Sequence, residues 1–262
     1  MFLKKIVIYL MFYFFAAGLF SYAEDLNSGN EDILKKKTEN IYNEKIDTDI
    51  VRCIKLPDGY HEGLFKEGNK IFINNGENGD TWVLDIDSEK ILTFIKSCGT
   101  FTEGLTKDSK GRYWVSDWDD LKLYRVSIEN NKMKPEFEVS FAPLHPAGVA
   151  ATDGKIYMLT WKRGIGTEYH LFSLDEEGKI LSKIKILGIY EPSQLAWDGK
   201  NLWISSWYSR RIYKVDINNL EILGYIVSPV SDTTGIVCDG EFLWVTGTKS
   251  DLYQLKIKRK II

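Results

Sequence analysis

Cysteine is scarce in this 262-residue chain: there are three, Cys53, Cys98 and Cys238, an odd number set far apart. They are too few and too scattered to staple a fold with disulfides or to make a zinc site, and at least one is unpaired or pairs between molecules. A basic stripe is also missing. Lys and Arg number 34 against 37 Asp and Glu, a net charge of −3, so neither nucleic acid nor an anionic membrane surface is an expected partner. Long apolar runs are limited to Ile6–Phe20, which follows Lys4 and Lys5 and leads into Ser21-Tyr22-Ala23, the small-x-small pattern of a signal-peptidase site. Its 15 residues fall short of the about 20 that a spanning helix needs. We therefore expect residues 1–23 to be a signal peptide rather than a membrane anchor, and the protein to be exported, periplasmic or secreted, with no stable membrane insertion after cleavage. No cysteine sits near the end of the run to carry a lipid.

Residues 24–45, charged and polar with Lys35-Lys36-Lys37, read as a flexible tether, with a short surface helix as the alternative. Residues 46–260 read as one domain, because a repeat runs through them without a linker. Aligned on itself, the chain gives five starts: Glu62-Gly63-Leu64, Glu103-Gly104-Leu105, Ala147-Gly148-Val149, Ser193-Gln194-Leu195 and Thr234-Gly235-Ile236. Their central residues are 41, 44, 46 and 41 apart. After a turn such as Asp198-Gly199 or Asp239-Gly240, each start leads into an alternating strand, of which Leu202-Trp203-Ile204 and Leu243-Trp244-Val245 are examples. A third strand and an outer fourth follow, the latter clearest at Glu89–Ile95, Lys179–Ile186 and Leu220–Val227. Four short strands per unit, repeated every 40 or so residues, predict an all-β fold, a five-bladed β-propeller of four-stranded antiparallel blades.

The fifth repeat lacks a downstream fourth strand, whereas Asp49–Leu56 is strand-like and lies upstream of the first. An N-terminal strand completing the last blade explains both, and it removes two exposed sheet edges. Most of the aromatic residues are then core, filling the wedge between neighbouring sheets.

In such a ring, residues at one blade position converge on a central funnel, so columns across the repeats nominate a site. The first column is Glu62, Glu103, Ala147, Ser193 and Thr234. The second, at the end of each second strand, is Gly76, Trp118, Trp161, Trp207 and Thr248. Trp118, Trp161 and Trp207 come from consecutive repeats and lie past the alternating stretch; they form either a cage for a sugar, an ammonium or a small polar substrate, or blade-to-blade packing. Glu62 and Glu103 are candidate acid–base groups, since two carboxylates near each other and away from water have raised pKa values; bonding to a neighbouring strand is the structural alternative. Other constellations are weak. The histidines, His61, His145 and His170, are dispersed, and no Ser sits on a strand-turn-helix elbow. Gly164-Ile165-Gly166 has no helix behind it to hold a phosphate, and Trp118-Asp119-Asp120 lacks the ligands of a calcium loop.

Three stretches carry a family resemblance. Phe101-Thr102-Glu103-Gly104-Leu105-Thr106, Trp207 with Arg211-Ile212 and Val215-Asp216, and Val245-Thr246-Gly247 with Leu252-Tyr253 resemble glutamine cyclotransferase, the plant and bacterial type of glutaminyl cyclase. The resemblance runs from about Tyr60 to Lys258. It implies a five-bladed propeller that converts N-terminal glutamine to pyroglutamate with release of ammonia, with Glu103 as the catalytic glutamate and Trp118 and Trp207 as pocket walls. By position, Glu62, Trp161, Ser193, Thr248 and Lys249 are further substrate-binding candidates. This chain departs from the family's pattern at Glu62 for glutamine, Ala147 for tryptophan, Ser193 for asparagine and Thr248 for lysine, with Lys249 one place away. Two other readings stay open: a non-catalytic propeller that binds a ligand in the aromatic funnel, and a metal-dependent lactonase-like propeller, which needs Asn and Asp ligands where Ser193 and Ser206 stand. The expectation is a monomer with a peptide or small-molecule substrate, no cofactor and no metal.

Overall fold

The computed structural model describes residues 44–258 apart from Asn78 and Asp153. The expected signal peptide and all but the end of the expected tether lie outside the described residues. Each repeat begins with a strand buried over most of its length. The first strands are β2 (His61–Glu67), β6 (Thr102–Lys107), β10 (His145–Thr152), β14 (Pro192–Trp197) and β18 (Thr233–Asp239). Second strands are β3 (Lys70–Asn75), β7 (Tyr113–Asp117), β11 (Lys155–Lys162), β15 (Leu202–Ser206) and β19 (Phe242–Gly247). Third strands are β4 (Asp80–Asp85), β8 (Lys122–Glu129), β12 (Glu168–Asp175), β16 (Arg211–Val215) and β20 (Leu252–Ile257). Fourth strands are β5 (Lys90–Lys96), β9 (Lys132–Ser140), β13 (Ile180–Lys185) and β17 (Ile222–Val227), and β1 (Thr48–Ile54) lies at the start of the chain.

Three sheets have four strands, and the fourth sheet has eight. The large one is two antiparallel meanders, β2 to β5 and β6 to β9, joined by a single parallel bridge between Lys96 and Lys132. β9 is the outer fourth strand expected in the second repeat but given no bounds from the sequence, because Pro135 and charged residues interrupt the pattern of this exposed strand. Strand β1 pairs antiparallel with β20, from Thr48 opposite Ile257 to Ile54 opposite Leu252, so the upstream strand completes the last sheet as its position predicts. Arg52 on β1 then reaches the β4–β5 turn, where its guanidinium donates to Glu89 at 2.9 Å and to the Ile86 carbonyl at 2.6 Å.

Packing follows from the alternation. The second-strand indoles Trp114, Trp203 and Trp244 are fully buried. Two of them are satisfied by the aspartate of the preceding turn: Trp114 Nε1 donates to Asp108 and Trp203 Nε1 to Asp198, both at 2.9 Å. The turn sequence and the core indole are thus one unit, because a buried N–H without a partner is costly. The five first strands pack in a closed order, β2 against β6, β6 against β10, β10 against β14, β14 against β18 and β18 back against β2. The backbones there approach so closely that a Cβ on Gly148 would lie 2.6 Å from Gln194 Cα. Where the fourth repeat has Gln194 in place of glycine, its side chain crosses the hub and donates from Nε2 to the Glu103 carbonyl at 2.9 Å.

Candidate functional site

A register slip occurs in every first strand where it pairs with its second strand. It falls between His61 and Leu64, Thr102 and Gly104, Pro146 and Val149, Pro192 and Leu195, and Thr233 and Gly235. Each slip is at the first sequence column, and a bulge turns the residue it carries out of the alternating pattern. Glu62, Glu103, Ala147, Ser193 and Thr234 accordingly all line one cavity of about 490 Å³.

Aromatic rings wall that cavity. Trp118 and Trp161 meet edge to face with centroids 5.6 Å apart and Trp161 and Trp207 at 6.5 Å. Trp161 is held by its Nε1, which donates to the Pro192 carbonyl at 2.6 Å. His145 stacks on Trp118 at 4.6 Å and Tyr208 on Trp207 at 4.7 Å. Across from them, Phe101 and Tyr60 form a further edge-to-face pair at 5.8 Å. Gly76, the member of the tryptophan column in the first repeat, makes room for this pair: a Cβ there would lie 2.5 Å from the Phe101 ring.

The floor carries the carboxyl pair. Glu62 is 4% exposed and is hydrogen-bonded through its side chain to Glu103. Burial pushes both carboxyls well above the usual carboxylate range; the Glu103 charge adds to the rise at Glu62, whereas the hydrogen bond from Glu62 opposes it at Glu103. The pair therefore shares a proton, because two carboxyls so close and so buried do not both ionise. Asp117 lies behind Glu103 and accepts from the Phe101 N–H at 2.9 Å; burial, with Asp120 and Asp119 nearby, pushes it up to about 6. Burial and the same two glutamates push the Tyr60 phenol up to about 12, which keeps its hydroxyl protonated.

A pH prediction follows from the sign of these shifts. Folded Glu62 and Glu103 hold protons that the unfolded chain releases near pH 4.3, so this pair's contribution to stability declines as pH rises from that value through the raised folded values. Glu62→Gln removes one ionisable group and keeps a donor for Glu103. Its melting temperature is expected to match wild type near pH 4 and to exceed it increasingly toward pH 9, by roughly 2–4 °C per kcal/mol relieved. A constant offset across that range in thermal melts would show that the pair does not carry the pH dependence.

Six of the eight sequence candidates, Glu62, Glu103, Trp118, Trp161, Ser193 and Trp207, line the cavity. Ser193 does so with its hydroxyl engaged: Oγ donates to the Thr233 carbonyl at 2.5 Å and lies 2.7 Å from Ser205 Oγ. Thr248 and Lys249 do not line it. The Thr248 hydroxyl donates to Asp232, and Lys249 borders a separate polar cavity with Lys55, Asp58 and Glu77. Among the described residues, no three His, Cys, Asp or Glu side chains are grouped as a metal site.

Tyr60, Asp119, Arg163 and Glu191 line the cavity and are missed by the two columns. A third column, two residues upstream of the first, would have found part of them: it reads Tyr60, Phe101, His145, Glu191 and Asp232. Its backbone meets the tryptophan column, since the carbonyls of Tyr60, Phe101 and Glu191 accept from Gly76, Trp118 and Trp207 at 2.9, 2.9 and 2.8 Å.

No protein-family model and no curated protein matches the chain. Solved structures do. Myxococcus xanthus glutaminyl cyclase superposes with a TM-score of 0.67 at 16% identity, over 82% of this chain and 99% of the other. A catalytically inactive virginiamycin B lyase from Staphylococcus aureus, solved with quinupristin, gives 0.50 at 19% identity, over 78% of this chain and 69% of the other. The β-propeller domain of Myceliophteria thermophila Cps50 (Swd1) gives 0.50 at 9% identity, over 81% of this chain and all of that domain. At these identities the likeness concerns the fold alone, and with the four-stranded antiparallel sheets it establishes that this all-β chain is a β-propeller.

Proposed function

We propose that this chain is an exported five-bladed propeller that acts as a glutaminyl cyclase, converting the N-terminal glutamine of peptides to pyroglutamate. Five first strands that each pack on the next, with the last on the first, support the blade count. The observation that carries the activity is the hydrogen-bonded Glu62–Glu103 pair on the floor of an aromatic funnel.

Cyclisation needs a group that takes a proton from one nitrogen and gives it to another. The neutral α-amine attacks the side-chain amide carbon, and a C–N bond forms. Glu103 takes a proton from the attacking nitrogen and returns it to the departing one as the original amide C–N bond breaks and ammonia leaves; the pair ends with the protons it began with. Burial suits this role, because a carboxylate with a raised pKa is a stronger base. The walls of Trp118, Trp161 and Trp207 hold the flexible glutamine side chain folded toward its own amine and keep water off the amide carbon.

Ammonia released from a short Gln-initiated peptide by the purified chain tests the reading. Sustained release above the uncatalysed rate is expected, and none from well-folded protein would sink the cyclase assignment. One observation favours a second reading, a propeller that binds without catalysis: the Ser193 hydroxyl is taken up by Thr233 and Ser205, so it is not free to orient a substrate amide as the family's asparagine would. Quenching of tryptophan fluorescence by a peptide with no ammonia released would support that one.

A further inference from the structure

The funnel is more acidic than its surroundings require. Its lining holds Glu62, Glu103, Asp119 and Glu191 against a single base, Arg163. Glu62 and Glu103 answer each other through their shared proton. Glu191 has no such answer. Its Oε2 is buried without a hydrogen-bond partner, and no ion pair joins it to Arg163 or to any other described base. No described base is paired with this side chain, and because Glu191 lines the cavity a cationic group of a ligand would meet it there.

Its placement is also enforced. Glu191 stands at φ +46°, a left-handed backbone that residues with a side chain seldom adopt and that costs free energy wherever it is kept. Two contacts hold it there: the Tyr169 phenol oxygen accepts its amide N–H, and its carbonyl accepts from Trp207 N–H at 2.8 Å. Trp207 lines the cavity, and Tyr169 packs edge to face on Trp161, which also lines it, at 4.9 Å. The backbone of Glu191 is thus held at the part of the wall where Trp161 and Trp207 meet, their planes 64° apart. Indole faces attract cations, most strongly where water is excluded.

We propose that Glu191 selects the ligand of this funnel by charge, drawing a primary ammonium group into the corner formed by Trp161 and Trp207. Ligands with a free amine enter, and the same molecules with the amine acylated are refused. The assignment rests on the funnel being the ligand site, and it deepens the cyclase reading by naming the residue that recognises the charged end of the substrate. The ammonium is the form that arrives at neutral pH, and it gives up a proton to water before the nitrogen attacks.

Two probes without glutamine, which cannot cyclise, test this apart from turnover: glycyl-phenylalanine amide and its N-acetyl derivative, titrated against tryptophan fluorescence. Wild type is expected to bind the free amine at least about tenfold more tightly than the acetylated probe, since a charge-assisted hydrogen bond and a cation–π contact are both lost on acetylation. In Glu191→Gln that preference should fall to near parity through weaker binding of the amine, with the acetylated probe bound as before. Glu191→Asp, which keeps the charge on a residue that tolerates positive φ, should retain part of the preference and so separates loss of charge from loss of fold. Equal binding of the two probes by wild type, no binding of the amine at all, or a full preference in folded Glu191→Gln would each overturn the proposal. Ammonia release from a Gln-initiated peptide with no amine preference would sink this assignment and leave the cyclase reading standing; the reverse outcome would do the opposite.

Discussion

Glu103→Gln is expected to cut ammonia release from a Gln-initiated peptide by about 10²-fold or more, the scale of a lost general acid–base group, while leaving the propeller folded. Glutamine matches glutamate in size and still accepts the hydrogen bond from Glu62, so the floor of the funnel keeps its shape. It cannot take up and return a proton. The melting temperature should stay level or rise slightly, because the substitution removes a carboxylate that burial disfavours. In wild type, the rate should climb with pH as Glu103 ionises, and it should do so above the usual carboxylate range, because burial raises that group. Steady-state rates of both proteins across pH, with circular dichroism of each, decide the matter. Normal turnover by folded Glu103→Gln removes Glu103 from the mechanism.

Gly148→Ala is expected to destabilise the protein by roughly 3 kcal/mol or more, at the upper end of overpacking costs, and to lower the melting temperature by about 6–12 °C. The added methyl would lie 2.6 Å from both Gln194 Cα and Leu195 N. Those are backbone atoms of the neighbouring first strand, so no side chain can rotate away and relieve the contact. Two inner strands have to separate, and every other strand around the hub has to follow. Gly199→Asn is the contrast. Gly199 sits at φ +89° in a turn with nothing within 4 Å of an added Cβ, and asparagine tolerates that backbone, so only a small loss is expected. Thermal melts of the two variants side by side would refute the packing argument if they fell together.

Much of the fold was legible before any coordinates, and the reason lies in the residues themselves. A short apolar run such as Leu202-Trp203-Ile204 marks a strand buried on both faces, and Asp198-Gly199 marks the turn before it, because a turn aspartate also satisfies the Trp203 indole. The missing fourth strand after Leu252-Tyr253 and the spare strand before His61 pointed to each other and are paired. β9 escaped because its pattern is interrupted by Pro135 and by charges on an exposed strand.

The site was legible by column and less so by contact. Column position says which end of a strand a residue occupies, and at six of eight positions that was enough to bring it to the cavity. It says nothing of what else is nearby. Thr248 shares its column with Trp118, Trp161 and Trp207, yet its hydroxyl turns to Asp232, and Lys249, one residue on, faces the neighbouring cavity. Arg163 reaches the funnel from the loop between β11 and β12, two residues past the tryptophan column, where the other repeats have Asn78, Asp120, Ser209 and Ser250, so the column there shows no shared chemistry to nominate it.

Period, alternation and turn chemistry are local properties of a chain, and through them the sequence by itself determined most of the strands, the closing role of β1 and the columns that point inward, but not the bridge that joins β5 to β9 in one eight-stranded sheet. Which inward groups meet was decided by the tertiary structure alone. The shared proton of Glu62 and Glu103, the place of Glu191 in the funnel lining and the engaged hydroxyl of Ser193 all depend on distances between different repeats, and those distances exist only once the first strands have packed around the hub and shut out water.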